Sequence, residues 1–574
     1  MRLCFLVIQV IFNKKIAAMK KLLLLYLSVI PSILFGQIPA LNWANSTDFT
    51  VQSSAIMPNG NIISGGSFSG TNDFDPGADS LKLTAAGSLD MCLQMLDANG
   101  NLVWAKGFGS AEQDVIKSIA TDEDGNIFVT GYFKETVDFD LGPGVSNLTS
   151  AGQQDLFILK LDHLGDFEWV KQIESQYAVL GNSIKLGLNG ELLLAGSFGG
   201  TVNFGTTTLT SNSSSSAGVT DFFVAKLNAT GDVVWATSAG SPGTDDCNDV
   251  TVDAQGNVYC TGDFQGQNID FDPSMAQGLL SAHLGDYDGF VMKLNAIGEY
   301  QWAFSIGGAG RDRTVSIEVD AQDKIYVSGQ FDGTSDFDPL GSSTNLTSTL
   351  NDLFIQKLNS DGTLVWVKVI SGAGTQQCRD MFVSEAGEVH VVGFAMGDTD
   401  FDPSSNSQLI TSSTNDWYGH ITKLDVNGDL DWYSVFEGAS NFIQAINFDI
   451  DDNLILTGQQ YGIVDVDPTA NVNNLNVAPY SANGAMVIKF GSNSTSSVPE
   501  ADWVNLTVFP NPTENRINVL SPFEIEQITI YNSLGQNIMS TTVSSIELNN
   551  LPAGIYFVKV KTAESEYTRK IVKK

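Results

Sequence analysis

Two aspartates flanking one apolar residue recur through this 574-residue chain. Asp-Phe-Asp-Pro occurs at Asp73–Asp75, Asp270–Asp272, Asp336–Asp338 and Asp400–Asp402, and close variants occupy Asp138–Asp140 and Asp465–Asp467. In extended backbone, residues i and i+2 point one way and i+1 the other, so the carboxylates share a side while the apolar residue turns toward a core. Two chemistries fit such a pair. Adjacent carboxylates with loop carbonyls nearby are hard oxygen ligands suited to Ca²⁺. The same carboxylates also serve as acceptors for turn amides in a loop that binds nothing. Acid–base catalysis fits poorly, because it needs one pair with its pKa values driven apart, not six near copies. One further copy, at Asn203-Phe204-Gly205, loses both carboxylates and keeps the Phe, which marks the apolar residue as structural.

Other reactive side chains are sparse. Arg311, Arg313 and Arg379 are the only arginines between residues 37 and 500. They are candidates for an anion-binding patch, for an acidic sugar or a carboxylate, against the alternative of pairing with Asp312, Asp380 and the acidic loops. The four histidines are His163, His283, His390 and His420. His390 stands where other repeats carry Phe128, Tyr259 or Tyr326, which favours packing over a functional pair with His420. No H-E-x-x-H, G-x-S-x-G or phosphate-cradling loop is present, so no catalytic residue is assigned. Cys92, Cys247, Cys260 and Cys378 lack zinc spacing and read as buried thiols.

The elements that must position these residues form a repeat. Trp43, Trp104, Trp169, Trp235, Trp302, Trp366 and Trp432 recur at intervals of 61 to 67 residues. Between them the pattern is constant: an apolar segment, a turn and a β-branched run ("SIATDEDGNIFVTGYF", 118–133), the aspartate-bearing loop, then a second hairpin ("DLFILKLDHLGDFEWVKQI", 155–173). Gly and Asn between alternating apolar residues specify the hairpin turns. Each unit is therefore four antiparallel strands, and seven such units predict an all-β, seven-bladed β-propeller over residues 37–490. A solenoid is the alternative, but its coils rarely hold two hairpins. The strand at Trp43 is expected to complete the last blade, closing the ring. The aspartate loops and the connections between blades are expected on one face, the tight turns on the other.

"DLFILKLDHLGDFEW", "DFFVAKLNATGDVVW" and "DCNDVTVDAQGNVYCTGDF" resemble the SBBP-type bacterial β-propeller repeat. That resemblance implies a fold and no activity. After a small-polar linker, residues 491–503, the segment 504–574 reads as a small β-sandwich and closely resembles the type A sorting domain of the type IX secretion system. The motif residues are Pro510, Asn511 and Pro512, Gly535 in "YNSLGQ", Gly554 and Tyr556 in "LPAGIY", and Lys570 and Lys573 in the terminal "KIVKK". The resemblance implies recognition by the type IX secretion machinery, then release or surface attachment. At the other end, residues 1–36 read as an export leader with Met19 as its expected start, residues 1–18 being either a stretch upstream of that start or part of a longer leader, and with cleavage expected between Gly36 and Gln37. No later stretch has the length of a transmembrane helix.

The formal net charge is −36. A leader without acidic residues and a balanced tail place that excess on residues 37–500, a surface that repels nucleic acid and anionic membrane. The expectation is a secreted or surface-attached, non-catalytic binding module for glycan or protein, with Ca²⁺ as a candidate cofactor. A polysaccharide-acting enzyme and a passive adhesive scaffold are the alternatives.

Overall fold

The computed structural model describes residues 38–574 apart from 213–218, 273, 275–277, 284–285, 412–415, 470, 477–483, 492–506, 514, 522–524, 533–536, 550 and 563–565. The leader with Gly36 and Gln37, the linker from 492 onward and Gly535 therefore lie outside the described residues.

Turn chemistry sets the strands. In "TDEDGNI" the Asp122 carboxylate accepts the amides of Asp124 (3.0 Å) and Asn126 (2.8 Å), while the Asn126 side chain donates back to Asp122 at 2.7 Å. Gly125 supplies the positive φ, +82°, that the fourth position requires. Equivalent Asx-closed turns recur at Asp97, Asp162, Asp253, Asp320, Asp425 and Asp449.

Among the described residues up to Gly491, seven units of four antiparallel strands form; five stand as separate four-stranded sheets and two are extended to six strands by an aspartate hairpin. Their first strands are Thr50–Ile56, Val115–Thr121, Val179–Leu186, Asp246–Val252, Arg313–Val319, Thr375–Val383 and Asn441–Phe448. Each of these packs against the next and the seventh against the first, which closes a ring around a central channel. The second and third strands are buried on both faces, as in Ile62–Phe68 and Asp90–Leu96, because a blade has a neighbour on each side.

The seventh sheet takes its outer strand from the start of the chain. Ala40–Thr47 pairs antiparallel with Gly484–Gly491, from Ala40 opposite Gly491 to Thr47 opposite Ala485. Trp43 then donates its indole N–H to the Ala98 carbonyl of the first blade at 3.1 Å. Trp235 repeats the bond, to the Ala296 carbonyl at 3.3 Å, and Trp104, Trp169, Trp302 and Trp366 seat against a turn glycine of the following blade. A Cβ on Gly165, in the following blade's turn, would lie 2.5 Å from the Trp104 ring, so glycine is what lets the turn seat on the indole.

Residues from Thr507 onward form two sheets, Thr507–Phe509 with Arg516–Leu520 and Ser545–Glu547, and Asn537–Thr541 with Ile525–Asn532, Gly554–Thr562 and Glu566–Lys573. They share a core that includes Ile517, Ile530, Ile546, Val558 and Ile571. No helix among the described residues is long and apolar enough to cross a membrane.

Candidate functional site

The aspartate loops are built alike in all six copies. The first Asp accepts two backbone amides, two and eight residues on: Asp73 from Asp75 (3.2 Å) and Leu81 (2.9 Å), Asp138 from Asp140 (3.1 Å) and Ser146 (2.8 Å), Asp336 from Asp338 (3.0 Å) and Thr344 (2.8 Å). Asp270, Asp400 and Asp465 do the same with Gly278, Gln408 and Asn473. The second Asp closes a smaller turn inside the first: Asp75 on Gly77, Asp140 on Gly142, Asp272 on Ser274, Asp338 on Ser342, Asp402 on Ser404 and Asp467 on Thr469. The copy without carboxylates explains itself. Thr201–Phe204 and Thr207–Thr210 are joined by two residues, so no long loop remains to be closed. The middle residues Phe74, Phe139, Phe204, Phe337, Phe401 and Val466 are fully buried, and Phe139 packs on Phe157 at 5.0 Å and Phe133 at 5.3 Å.

These hairpins also join blades. Asp336 pairs with Gly307, Asp400 with Ser371 and Asp465 with Glu437, each partner belonging to the outer strand or connection of the preceding blade. Among the described residues no group of three or more His, Cys, Asp or Glu converges as a metal site.

The arginines are not where a surface patch needs them. Only Arg311 lies in a connection between blades, its guanidinium 4.8 Å from the Tyr287 ring centroid. Arg313 opens an innermost strand and donates to Asp263 at 3.0 Å. Arg379 lies within another innermost strand and lines the central channel. The expected partners Asp312 and Asp380 are taken by backbone amides instead: Asp312 by Gly308 (2.8 Å) and Asp332 (3.2 Å), Asp380 by Met381 and Ile446 (both 2.9 Å). Strand register sets Gly393, not His390, opposite His420. Burial pushes both imidazoles down to about 3, and they pack on Phe448 and Phe401 respectively. All four cysteines outside the leader are buried free thiols.

The channel is the concave site that sequence reasoning left unassigned. It encloses about 430 Å³ and is lined by residues of all the innermost strands. Each of those strands carries one bulged residue: Gln52, Lys117, Asn182, Asn248, Val315, Arg379 or Gln444. The residue after the bulge ties one blade to the next. Ser53 accepts the Ile119 amide and Ser118 the Ile184 amide, both at 3.1 Å, and Asp249 accepts that of Ile317 at 3.0 Å. Below them Lys185 pairs with Glu318 at 2.9 Å; burial opposes the lysine charge, but Glu318, Asp249 and Asp380 outweigh it and hold its pKa above the usual range. Burial raises Asp380 to about 7 despite Lys185. A signal for these positions exists in the repeat, where a variable polar residue precedes a small or acidic one in "KSI", "NSI" and "RDM". Only the strand bulge turns that column toward the channel.

In the C-terminal unit the motif residues come together. Asn511, between Pro510 and Pro512, donates to the Lys570 carbonyl at 2.8 Å and accepts the Val572 amide at 2.6 Å. Gly554 pairs with Lys573, and the Tyr556 hydroxyl donates to the Pro552 carbonyl at 2.9 Å.

Residues 103–132 and 234–272 match the β-propeller repeat of the SBBP type, and residues 507–574 match the secretion system C-terminal sorting domain. The chain thus carries SBBP propeller repeats followed by a type IX sorting domain, which directs it to the cell surface or the extracellular space. An uncharacterized WD repeat-containing protein of Acanthamoeba polyphaga mimivirus is 26% identical over 353 residues, 51% of this chain. The match spans only 25% of that relative's length. Among solved structures, Sqt1 from Chaetomium thermophilum is 10% identical with a TM-score of 0.37, covering 79% of this chain and 100% of its own. PorZ, a surface component of the type IX secretion system of Porphyromonas gingivalis, is 12% identical with a TM-score of 0.20, covering 92% and 82%.

Proposed function

We propose that this exported propeller is a non-catalytic binding module for glycan or protein, with the central channel and the loop face around it as its contact surface. One observation carries the reading: the channel carboxylates are already committed. Asp249 and Asp380 hold backbone amides of the next blade, and Glu318 holds Lys185. A general acid or base must instead be free to exchange a proton with substrate. Incubating the protein with the polysaccharides of its growth medium tests this. Retention without new reducing ends supports binding, and absence of both leaves a scaffold.

A second reading is favoured by Asp380. A carboxyl raised to about 7 beside a cavity has the pKa of a general acid. New reducing ends that vanish in Asp380→Asn would establish a polysaccharide-acting enzyme instead.

A further inference from the structure

Lys117 and Arg379 occupy the same bulged position on the innermost strands of the second and sixth blades. Between them around the ring stand the seventh and first blades, which carry Gln444 and Gln52 at that position. The four side chains form one contiguous arc of the channel wall. The bulged asparagines opposite are occupied: Asn182 donates to the Cys247 carbonyl at 3.0 Å, and Asn248 to Asp263 (2.9 Å) and the Thr314 carbonyl (2.8 Å). Among the described residues no such bond engages either glutamine, so the arc keeps its donors.

The cations are the anomaly. The chain has 65 Asp and Glu against 29 Lys and Arg, so a carboxylate partner is readily available to any cation that needs only neutralising. Arg313, two residues before a bulge, has one in Asp263, and Lys185 deeper in the channel has one in Glu318. Lys117 and Arg379 form no ion pair with any described residue; Arg379 only rests its guanidinium 4.8 Å from the Phe394 ring centroid. Enclosure by the channel wall, and then the Arg379 charge, hold the Lys117 pKa below the usual lysine range against the opposing charge of Asp246, with which it forms no ion pair. Two like charges facing one enclosed space destabilise each other, and an anion between them reverses the sign of that interaction.

We propose that the arc Arg379–Gln444–Gln52–Lys117 binds the carboxylate group of a small acidic ligand, a uronic acid or a short acidic saccharide end, inside the channel. Arg379 offers a planar fork suited to a carboxylate, Lys117 a point charge, and the two amides donors for flanking hydroxyls. The volume of about 430 Å³ lies at the small end of ligand pockets, which selects a monosaccharide or chain end over the middle of a polymer.

This inference rests on the binding-module reading, and the test separates the two. Calorimetric titration of the full chain uses galacturonate, oligogalacturonate, sodium sulfate and neutral galactose, with Lys117→Gln, Arg379→Gln and the surface control Lys171→Gln. Galacturonate is expected to bind and galactose not; each channel variant should lose at least tenfold in affinity, and the control none. Both channel variants should melt no lower than the parent, since removing one of two facing like charges relieves repulsion; a merely structural role predicts the opposite. Binding of oligogalacturonate as strong as that of the monomer identifies chain ends as the source, and binding of the monomer alone identifies a free acid. Equal binding of sulfate and galacturonate, or galacturonate binding that survives both substitutions, overturns the carboxylate site. If growth polysaccharides retain the parent but galacturonate does not bind it, only this inference falls; if the parent binds no probe and no polysaccharide, both readings fall.

Discussion

Asp336 and Phe337 are neighbours whose side chains do unlike work. Phe337→Ala empties a space among Phe331 and Phe354 between blades and should cost about 3–5 kcal/mol. Asp336→Ala gives up two amide bonds at a partly exposed loop and should cost about 1–2 kcal/mol. Urea midpoints of the two variants check the ranking; equal costs would mean that the loop closure, not the ring, holds the hairpin. Because amides already close the loop, we expect the same melting temperature in EDTA and in millimolar Ca²⁺; a rise with Ca²⁺ alone would make the aspartate pairs ligands. At this scale the sequence was half legible. The Phe showed itself by surviving where the carboxylates did not. Arg379 was named as an anion ligand but not placed in the channel, and Lys117 stayed hidden, because a one-residue bulge reverses which face a side chain meets and no alternation pattern records it.

Among the strands, Ala40–Thr47 has the longest reach in sequence, pairing with Gly484–Gly491. A chain beginning at Thr50 keeps every other blade complete but leaves the long, buried, apolar strand Gly484–Gly491 with an open edge. We expect a lower and broader calorimetric transition together with light-scattering evidence of association; an unchanged, monomeric transition would show that the ring holds without its seventh outer strand. Strand order and turn positions were readable in advance, since Asp-x-x-Gly-Asn turns and the Trp period punctuate the chain. The pairing of the aspartate hairpins with the preceding blade was not. Asp336 opposite Gly307 depends on how two blades abut, which no single repeat contains.

The whole molecule combines an acidic surface with buried carboxyls. Burial raises Asp245, Asp312 and Asp380 from 3.8 to about 7 and Asp352 to about 6. A carboxyl whose folded pKa exceeds its unfolded one binds its proton more tightly in the native state, so stability falls as pH rises from about 4 to about 7. Self-repulsion at net −36 has the same sign. Melting temperature should therefore be higher at pH 5 than at pH 8. The gap should narrow but persist in 0.5 M NaCl, because salt screens surface charge and not burial; a higher value at pH 8 would assign these carboxyls ordinary native pKa values.

Ring closure also has a meaning in time. The first strand of the propeller to be synthesised cannot find its place until the last has been made, so the molecule stays unlocked for nearly the whole of its own production. The sorting domain starts only after that closing strand. A chain cut short at any earlier point therefore lacks the means to shut and the address to leave. Closure of the ring and the export address are therefore made in that order, one directly after the other.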